Sequence, residues 1–445
     1  METLSITFSY ESTLKISLLL VEVTPFDILI GVKVPSQTTI SYESINPFAF
    51  TSLEDIVLNF LERFPEFQDI NSAVVALPQN FLVFDQNAAP SSPFNAWKFD
   101  SSFFKKKTGF LNVFFVDRVT VIGKAVPMLL PNDFFVLSGQ QAAYFNANKN
   151  TYMIALTDET YESSFFSFNE ASKSWVSTKS LVNALELNTH NDALQNLLNV
   201  MSQDVSPSYP TLGFFFSAKG IEKLYATLYQ ENNMEDFIQR QIELTPAVIQ
   251  KGAPTGVDSL ELNDVITRSS LEGLDVSISA IAPTDPQVIK NAKSFLPLSL
   301  KNTVPISQDD LNWALLKALP FLTIIKGAFS YKKLPFQSNI LFPMSSSNLQ
   351  PILEKFCFDC LNTWSSLLGE ALGQQALILN AQGGIFLAGR LLLLMKGLLR
   401  DLSLNSSFEK EISDQNSFTE TSFALITNPM PSFLGMIVFF EEQEN

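Results

Sequence analysis

The sequence predicts an α/β protein of more than one domain, and three observations carry that expectation. First, the chain has 445 residues, more than the roughly 250–300 that one core usually sustains, so two to three domains are expected. Second, it opens with branched and aromatic strand patterns followed by a helical pattern and another strand. Third, a long helical period, a Gly-Gly stop and a short strand recur near the C-terminus.

The elements follow in order. Leu4–Phe8, Ile16–Val21 and Asp27–Val34 have strand composition, punctuated by Pro25 and Pro35. Ser52 is a candidate N-cap with Asp55 three residues on. Leu53, Ile56, Val57, Phe60, Leu61 and Phe64 then recur at helical spacing. Ser72–Leu77 is an apolar run ended by Pro78, as in a buried strand. A strand at Leu111–Val116 leads into a helix ending before Pro127. A second strand series runs through Met153–Leu156, Ser164–Phe168 and Ser174–Ser177, followed by helices over Asp192–Met201, Ser217–Tyr229 and Met234–Ile242. Eight prolines between 252 and 345 break that stretch into short elements, the clearest a helix from Ser307. The strongest periodicity spans Leu349–Leu379. Gly383-Gly384 stops it, Ile385–Ala388 is a strand, Leu391–Asp401 a helix, Phe423–Thr427 a last strand, and an apolar segment closes the chain.

Composition excludes several functions. Hydrophobic residues make up 46% and charged ones 17%, so a large core is expected rather than wholesale disorder. With 29 Lys and Arg against 45 Asp and Glu, the net charge is −16, which excludes a general nucleic-acid binder. Lys105-Lys106-Lys107 is the one basic triplet, expected in a solvated loop. Two cysteines and one histidine exclude a disulfide scaffold and His-rich metal sites. Cys357 and Cys360 stand one helical turn apart beside Phe356 and Trp364, as a buried reduced pair would. The N-terminus lacks a basic segment followed by an apolar one, and Ala376–Leu399 is interrupted by Arg390. A cytoplasmic protein with no membrane insertion is therefore expected.

Several segments, in chain order, resemble the bacterial-type glucokinase family. They are Ala125-Val126-Pro127-Met128-Leu129, Trp175-Val176-Ser177, and Phe216-Ser217 with Gly220-Ile221 and Leu224-Tyr225. The long helix, Gly383-Gly384-Ile385-Phe386-Leu387-Ala388-Gly389, Ala424-Leu425-Ile426-Thr427-Asn428-Pro429 and Phe433-Leu434-Gly435 complete the series. The resemblance implies an α/β, two-domain actin-like (ribonuclease H-like) glucokinase fold with a large insertion at about 252–345. Residues 1–125 with 429–445 would form the small domain and 126–428 the large one.

The residues that the resemblance assigns to chemistry are replaced. Where the family has Asp-x-Gly-Gly-Thr-Asn against phosphate, this chain has Ser9, Tyr10, Glu11, Ser12 and Thr13. The second phosphate turn, Gly-x-Gly-Thr-Gly-x-Gly, aligns with Thr157 to Ser163, where only Thr160 matches and Asp158, Glu159 and Glu162 bring carboxylates. Two unit charges about 4 Å apart repel by roughly 4 kcal/mol at an effective dielectric near 20, so acids there oppose a triphosphate. They are expected to form an acidic solvated turn. Leu181 and Ala184 replace the glutamate and histidine of the sugar site, and a further sugar-holding glutamate falls near Gly213. His190 is an ordinary surface or capping residue. At the adenosine turn Gly389 is followed by Arg390, whose side chain would fill space near the base. Asp117, in Phe115-Val116-Asp117-Arg118, stands where the family carries its catalytic base and is read as a vestige, held in a salt bridge with Arg118 or a neighbouring lysine.

The expectation is therefore a catalytically inactive glucokinase-like protein without a cofactor, acting as a structural or protein-interaction component. Its partners would be proteins: a second copy in a homodimer, or the other subunits of a larger assembly. The insertion and the 40 phenylalanines would supply binding surface. Glu441, Glu442 and Glu444 would form only a solvated end. The alternative is an active ATP-dependent hexose kinase with a rebuilt nucleotide site.

Overall fold

The computed structural model describes residues 4–8, 10, 12–24, 28–35, 37–45, 47, 50–79, 97, 99–138, 149–156, 161–169, 174–179, 186–187, 189, 191–202, 211–231, 324–325, 327–334, 350–413, 418 and 421–444. Two six-stranded sheets organise them. The first is built from β1 (Leu4–Thr7), β2 (Leu18–Val23), β3 (Ile28–Lys33), β4 (Thr39–Ile45), β5 (Ser72–Leu77) and β6 (Asn112–Asp117), in the order β1-β4-β3-β2-β5-β6. Its first four strands pair antiparallel, whereas β2, β5 and β6 run parallel. Every residue of β2 and β5 is buried, which is why these strands are mostly apolar rather than alternating, with Glu22 as the charged residue of β2.

Helix α1 (Leu53–Arg63) is capped by Ser52, whose side chain accepts from the Asp55 N–H, and α1 covers one face of this sheet. Helix α2 (Ser101–Thr108) follows, capped by Asp100 and ended by Gly109. It carries Lys105, Lys106 and Lys107 in its last turn, so the triplet is helical. Lys107 bonds Asp55 at 2.7 Å and Ser52 at 3.0 Å, an acidic partner at the N-terminus of α1 that holds the triplet in place.

Helix α3 (Arg118–Ala125) starts directly after β6 and ends in the turn Val126–Met128. It leads to the second sheet. Strands β7 (Phe134–Ser138), β8 (Thr151–Leu156), β9 (Tyr161–Asn169), β10 (Ser174–Lys179), β11 (Gly384–Ala388) and β12 (Phe423–Ile426) lie in the order β10-β9-β8-β11-β12-β7. Parallel β8, β11 and β12 form its centre, with antiparallel strands outside.

Its main core lies against α4 (Asp192–Ser202), α5 (Leu212–Phe215), α6 (Ala218–Glu231), α7 (Gln350–Leu379), α8 (Arg390–Met395) and α9 (Leu404–Ile412). Trp364 of α7 is fully buried; its ring N–H donates to the Phe215 carbonyl at 3.1 Å, and its face meets Phe216 edge-on. Phe408 stacks on Phe423. Among the phenylalanines with described side chains, Phe103 is the exposed one, and the others are buried or half-buried. The described part of the proposed insertion, within 324–334, is helical and sends Ile324, Ile325, Ala328 and Phe329 into the same core. The helices expected over Met234–Ile242 and from Ser307 lie outside the described residues.

The closing apolar segment is helix α10 (Pro431–Glu444). It packs on β2, β5 and α3, so both of its faces are buried and no single apolar stripe marks it. The crossing with α3 is close: a Cβ on Gly435 would stand 1.6 Å from the Val121 carbonyl oxygen, which only glycine avoids. No helix among the described residues is long and apolar enough to cross a membrane.

Candidate functional site

Asp117 ends β6 and caps α3. Its backbone is extended and its carboxylate takes the Thr120 N–H and the Thr120 hydroxyl, each at 2.8 Å. The side chain is buried at 3% exposure. The expected ion pair with Arg118 is not formed. Arg118 instead meets Glu162 on β9, Nη2 to Oε1 at 2.9 Å, with side-chain exposures of 5% and 2%. The physical reason is direction: the cap turns the Asp117 carboxylate into the first turn of α3, while Arg118 reaches across to the second sheet. Glu162 is thus a buried strand residue rather than part of a solvated acidic turn.

A band of hydroxyls continues from there. Thr120 Oγ1 lies 2.9 Å from Ser177 Oγ, and Ser164 Oγ lies 2.8 Å from the same atom. The Gln79 amide, just after β5, donates to the Ser163 carbonyl at 2.8 Å. Asp117, Thr120, Glu162, Ser163 and Ser164 are all buried. The end of the first sheet and the face of the second are therefore bonded through these groups, while Ser163 Oγ is buried without a hydrogen bond among the described residues.

The turn between β1 and β2 shows what sequence reading missed. The carboxylate of Glu441, from the last turn of α10, sits in it. Oε1 accepts from the Ser12 hydroxyl at 2.7 Å and from the Thr13 N–H at 2.6 Å, and Oε2 accepts from the Tyr10 hydroxyl. Glu441 is 8% exposed. Lys33, on β3, is near enough for Glu441 to favour its charge, although burial pulls its pKa down overall. Burial and the hydrogen bond to Glu441 both push the Tyr10 phenol up. Next along α10, Glu442 pairs with Lys124 of α3. Two of the three terminal acids are therefore bonding residues rather than a solvated end; Glu444 is exposed. No local signal could reveal this, because Glu441 and its partners lie more than 400 positions apart.

Ser9 and Glu11 of the first turn, Asp158, Glu159 and Thr160 of the second, and Leu181, Ala184 and His190 lie outside the described residues. Gly213 lies in α5, a backbone position with no carboxylate to offer. Gly389 is the residue before α8, at φ +107°, a backbone that favours glycine; Arg390 is the first residue of that helix. Both cysteines are free and buried, and burial pushes the Cys357 thiol up to about 12, so the pair is inert at neutral pH. Among the described residues no group of three or more His, Cys, Asp or Glu could hold a metal ion.

At the first turn the backbone N–H of Thr13 donates to Glu441.

The comparisons agree with the fold and extend the resemblance. The glucokinase family model matches residues 352–443, from α7 to the end of α10. No curated protein matches the sequence. Among solved structures, a glucokinase from an Antarctic psychrotroph superposes with a TM-score of 0.57 at 15% identity, covering 96% of this chain and 99% of that one. A glucokinase from Balamuthia mandrillaris in complex with glucose gives 0.56 at 10% identity, covering 95% and 93%. The glucokinase of Leishmania braziliensis gives 0.54 at 11% identity, covering 96% and 94%. The expected α/β fold of the actin-like sugar kinases is borne out by these superpositions, and over residues 352–443 the chain matches the glucokinase family model.

Proposed function

We propose that this chain is a catalytically inactive relative of the glucokinases that serves as a structural or protein-interaction component. One observation carries the reading: Tyr10, Ser12 and Thr13, in the turn that aligns with the family's first phosphate site, donate to the chain's own Glu441. A phosphate oxygen has no free N–H from Thr13 to bind, and it would meet a carboxylate instead. Two further features support it. Asp117 accepts the Thr120 N–H on one oxygen and the Thr120 hydroxyl on the other, and so serves as the cap of α3. Glu162, where the second phosphate turn ends, is committed to Arg118.

The described apolar residues form continuous cores, while Asp117, Glu162 and Glu441 are engaged in internal bonds. That is the pattern of a body selected for shape, and fold alone does not dictate chemistry. The partner is a protein, either a second copy or the other subunits of an assembly, in the cytoplasm.

Two measurements test this. Calorimetric titration with Mg-ATP, alone and with glucose, is expected to give no saturable heat at millimolar ligand; saturable binding of both overturns the reading. Native fractionation of a cell extract is expected to find the chain in a species larger than its 49.6 kDa monomer. Quantitative recovery as a monomer contradicts the interaction role.

A further inference from the structure

Strand β7 lies at one edge of the second sheet. It pairs with β12 on one side, and among the described residues no strand pairs with its other side. Its sequence, Phe134-Phe135-Val136-Leu137-Ser138, carries no charge, and every residue is half-buried. Edge strands are often guarded against pairing with another chain by a lysine or a proline. Strand β7 has neither, and its one irregularity is a register shift against β12 between Val136 and Ser138.

Two cations stand over this edge. Arg400 Cζ lies 4.6 Å and Lys396 Nζ 5.5 Å from the centre of the Phe135 ring. They follow α8, four residues apart, and both are exposed. Like charges at that spacing repel, and among the described residues neither forms an ion pair. Asp401, next in sequence, meets Lys332 at 4.0 Å instead. On a chain of net charge −16, this is a cationic place without its counter-charge.

We propose that β7 takes an extended, carboxylate-bearing peptide of a partner protein as an added strand. Backbone bonds to the open edge supply the affinity, and a Glu or Asp side chain beside Phe135 neutralises Lys396 and Arg400. The far end of the strand is already acidic, because Glu409 accepts from the Ser138 hydroxyl. The peptide's acids therefore sit toward Phe135, and its end at Ser138 is uncharged. That the ligand is a protein segment rests on the interaction role proposed above; the open edge and the two cations do not.

The test follows binding of a dye-labelled, end-blocked peptide, Thr-Val-Glu-Val-Glu-Val-Thr, to the full-length protein by fluorescence anisotropy. Wild type and the exposed control Lys105→Ala are expected to bind it saturably. Lys396→Ala with Arg400→Ala changes only exposed side chains and is expected to weaken binding about 5- to 10-fold. Replacing both peptide glutamates by glutamine is expected to do the same. A fully N-methylated peptide, which has no N–H to give the strand, is expected not to bind. The proposal is overturned if wild type does not bind, or if the double variant, the glutamine peptide or the methylated peptide binds as well as the parent pair. Displacement of the peptide by Mg-ATP at constant ionic strength would assign the cations to a nucleotide and overturn it too. Failure here leaves the interaction role standing, because native fractionation decides that separately.

Discussion

Arg118 and Glu162 form a buried ion pair, 2.9 Å from Nη2 to Oε1, that joins the start of α3 to the second sheet. Arg118 follows the position where the family resemblance places the catalytic base, and Glu162 lies in the stretch that aligns with the second phosphate turn. Here they neutralise each other. Because each is almost fully buried, removing one leaves a charge without its counter-ion. Arg118→Ala is expected to cost about 3–5 kcal/mol, measured by denaturant unfolding. A double replacement, Arg118→Met with Glu162→Leu, is expected to recover most of that loss. Equal losses in the single and double variants would show that the pair's charges do not matter.

Asp117 is a cap, and caps have a characteristic response. Asparagine caps about as well as aspartate, whereas alanine costs about 1 kcal/mol. Asp117→Asn is expected to match wild-type stability and Asp117→Ala to lose about 0.5–2 kcal/mol, both read from denaturation midpoints. A stability gain in Asp117→Ala would mean that the carboxylate is strained for another purpose.

Gly435 sets the distance between α10 and α3. A methyl group there would need the Val121 carbonyl to move, because the added carbon would stand 1.6 Å from it. Gly435→Ala is expected to destabilise by about 3 kcal/mol or more, visible as a lowered melting temperature. An unchanged melting temperature would mean that the two helices do not cross this closely.

Asp55 gives a pH signature. The Lys107 ammonium, then the Thr51 hydroxyl, hold its carboxyl down at about 2 from an ordinary 3.8. A depressed acid stabilises the fold above its unfolded value, and that contribution is lost as pH falls from about 4 to about 2. Both partners are a third exposed, so solvent screening limits the effect to under about 1 kcal/mol. Lys107→Ala is expected to raise the Asp55 titration midpoint toward 3.8, followed by NMR. A midpoint that stays near 2 would assign the shift to Thr51 and Ser52 alone.

Much of the fold was legible because its signals are local. Ser72–Leu77 reads as a strand from its unbroken apolar run, and α1 from its cap and period. The cap positions and the 30-residue α7 likewise follow from short-range pattern. Strand β4 was missed because Ser41, Glu43 and Ser44 dilute its alternation. Glu43 is buried there and pairs with Arg63, from the far end of α1, at 2.7 Å. Helix α10 was read only as an apolar segment, since burial on both faces erases the helical period. The occupied turn was invisible for the same reason: Tyr10, Ser12 and Thr13 acquire their meaning from Glu441 at the other end of the chain.

The central claim is that the chain keeps a sugar-kinase fold without phosphoryl transfer. The most direct measurement is formation of glucose phosphate from Mg-ATP and glucose by purified protein, with Asp117→Asn run in parallel. The account predicts product at the same background level for both. Turnover by the wild type that Asp117→Asn abolishes would contradict it and make Asp117 the base of a working enzyme.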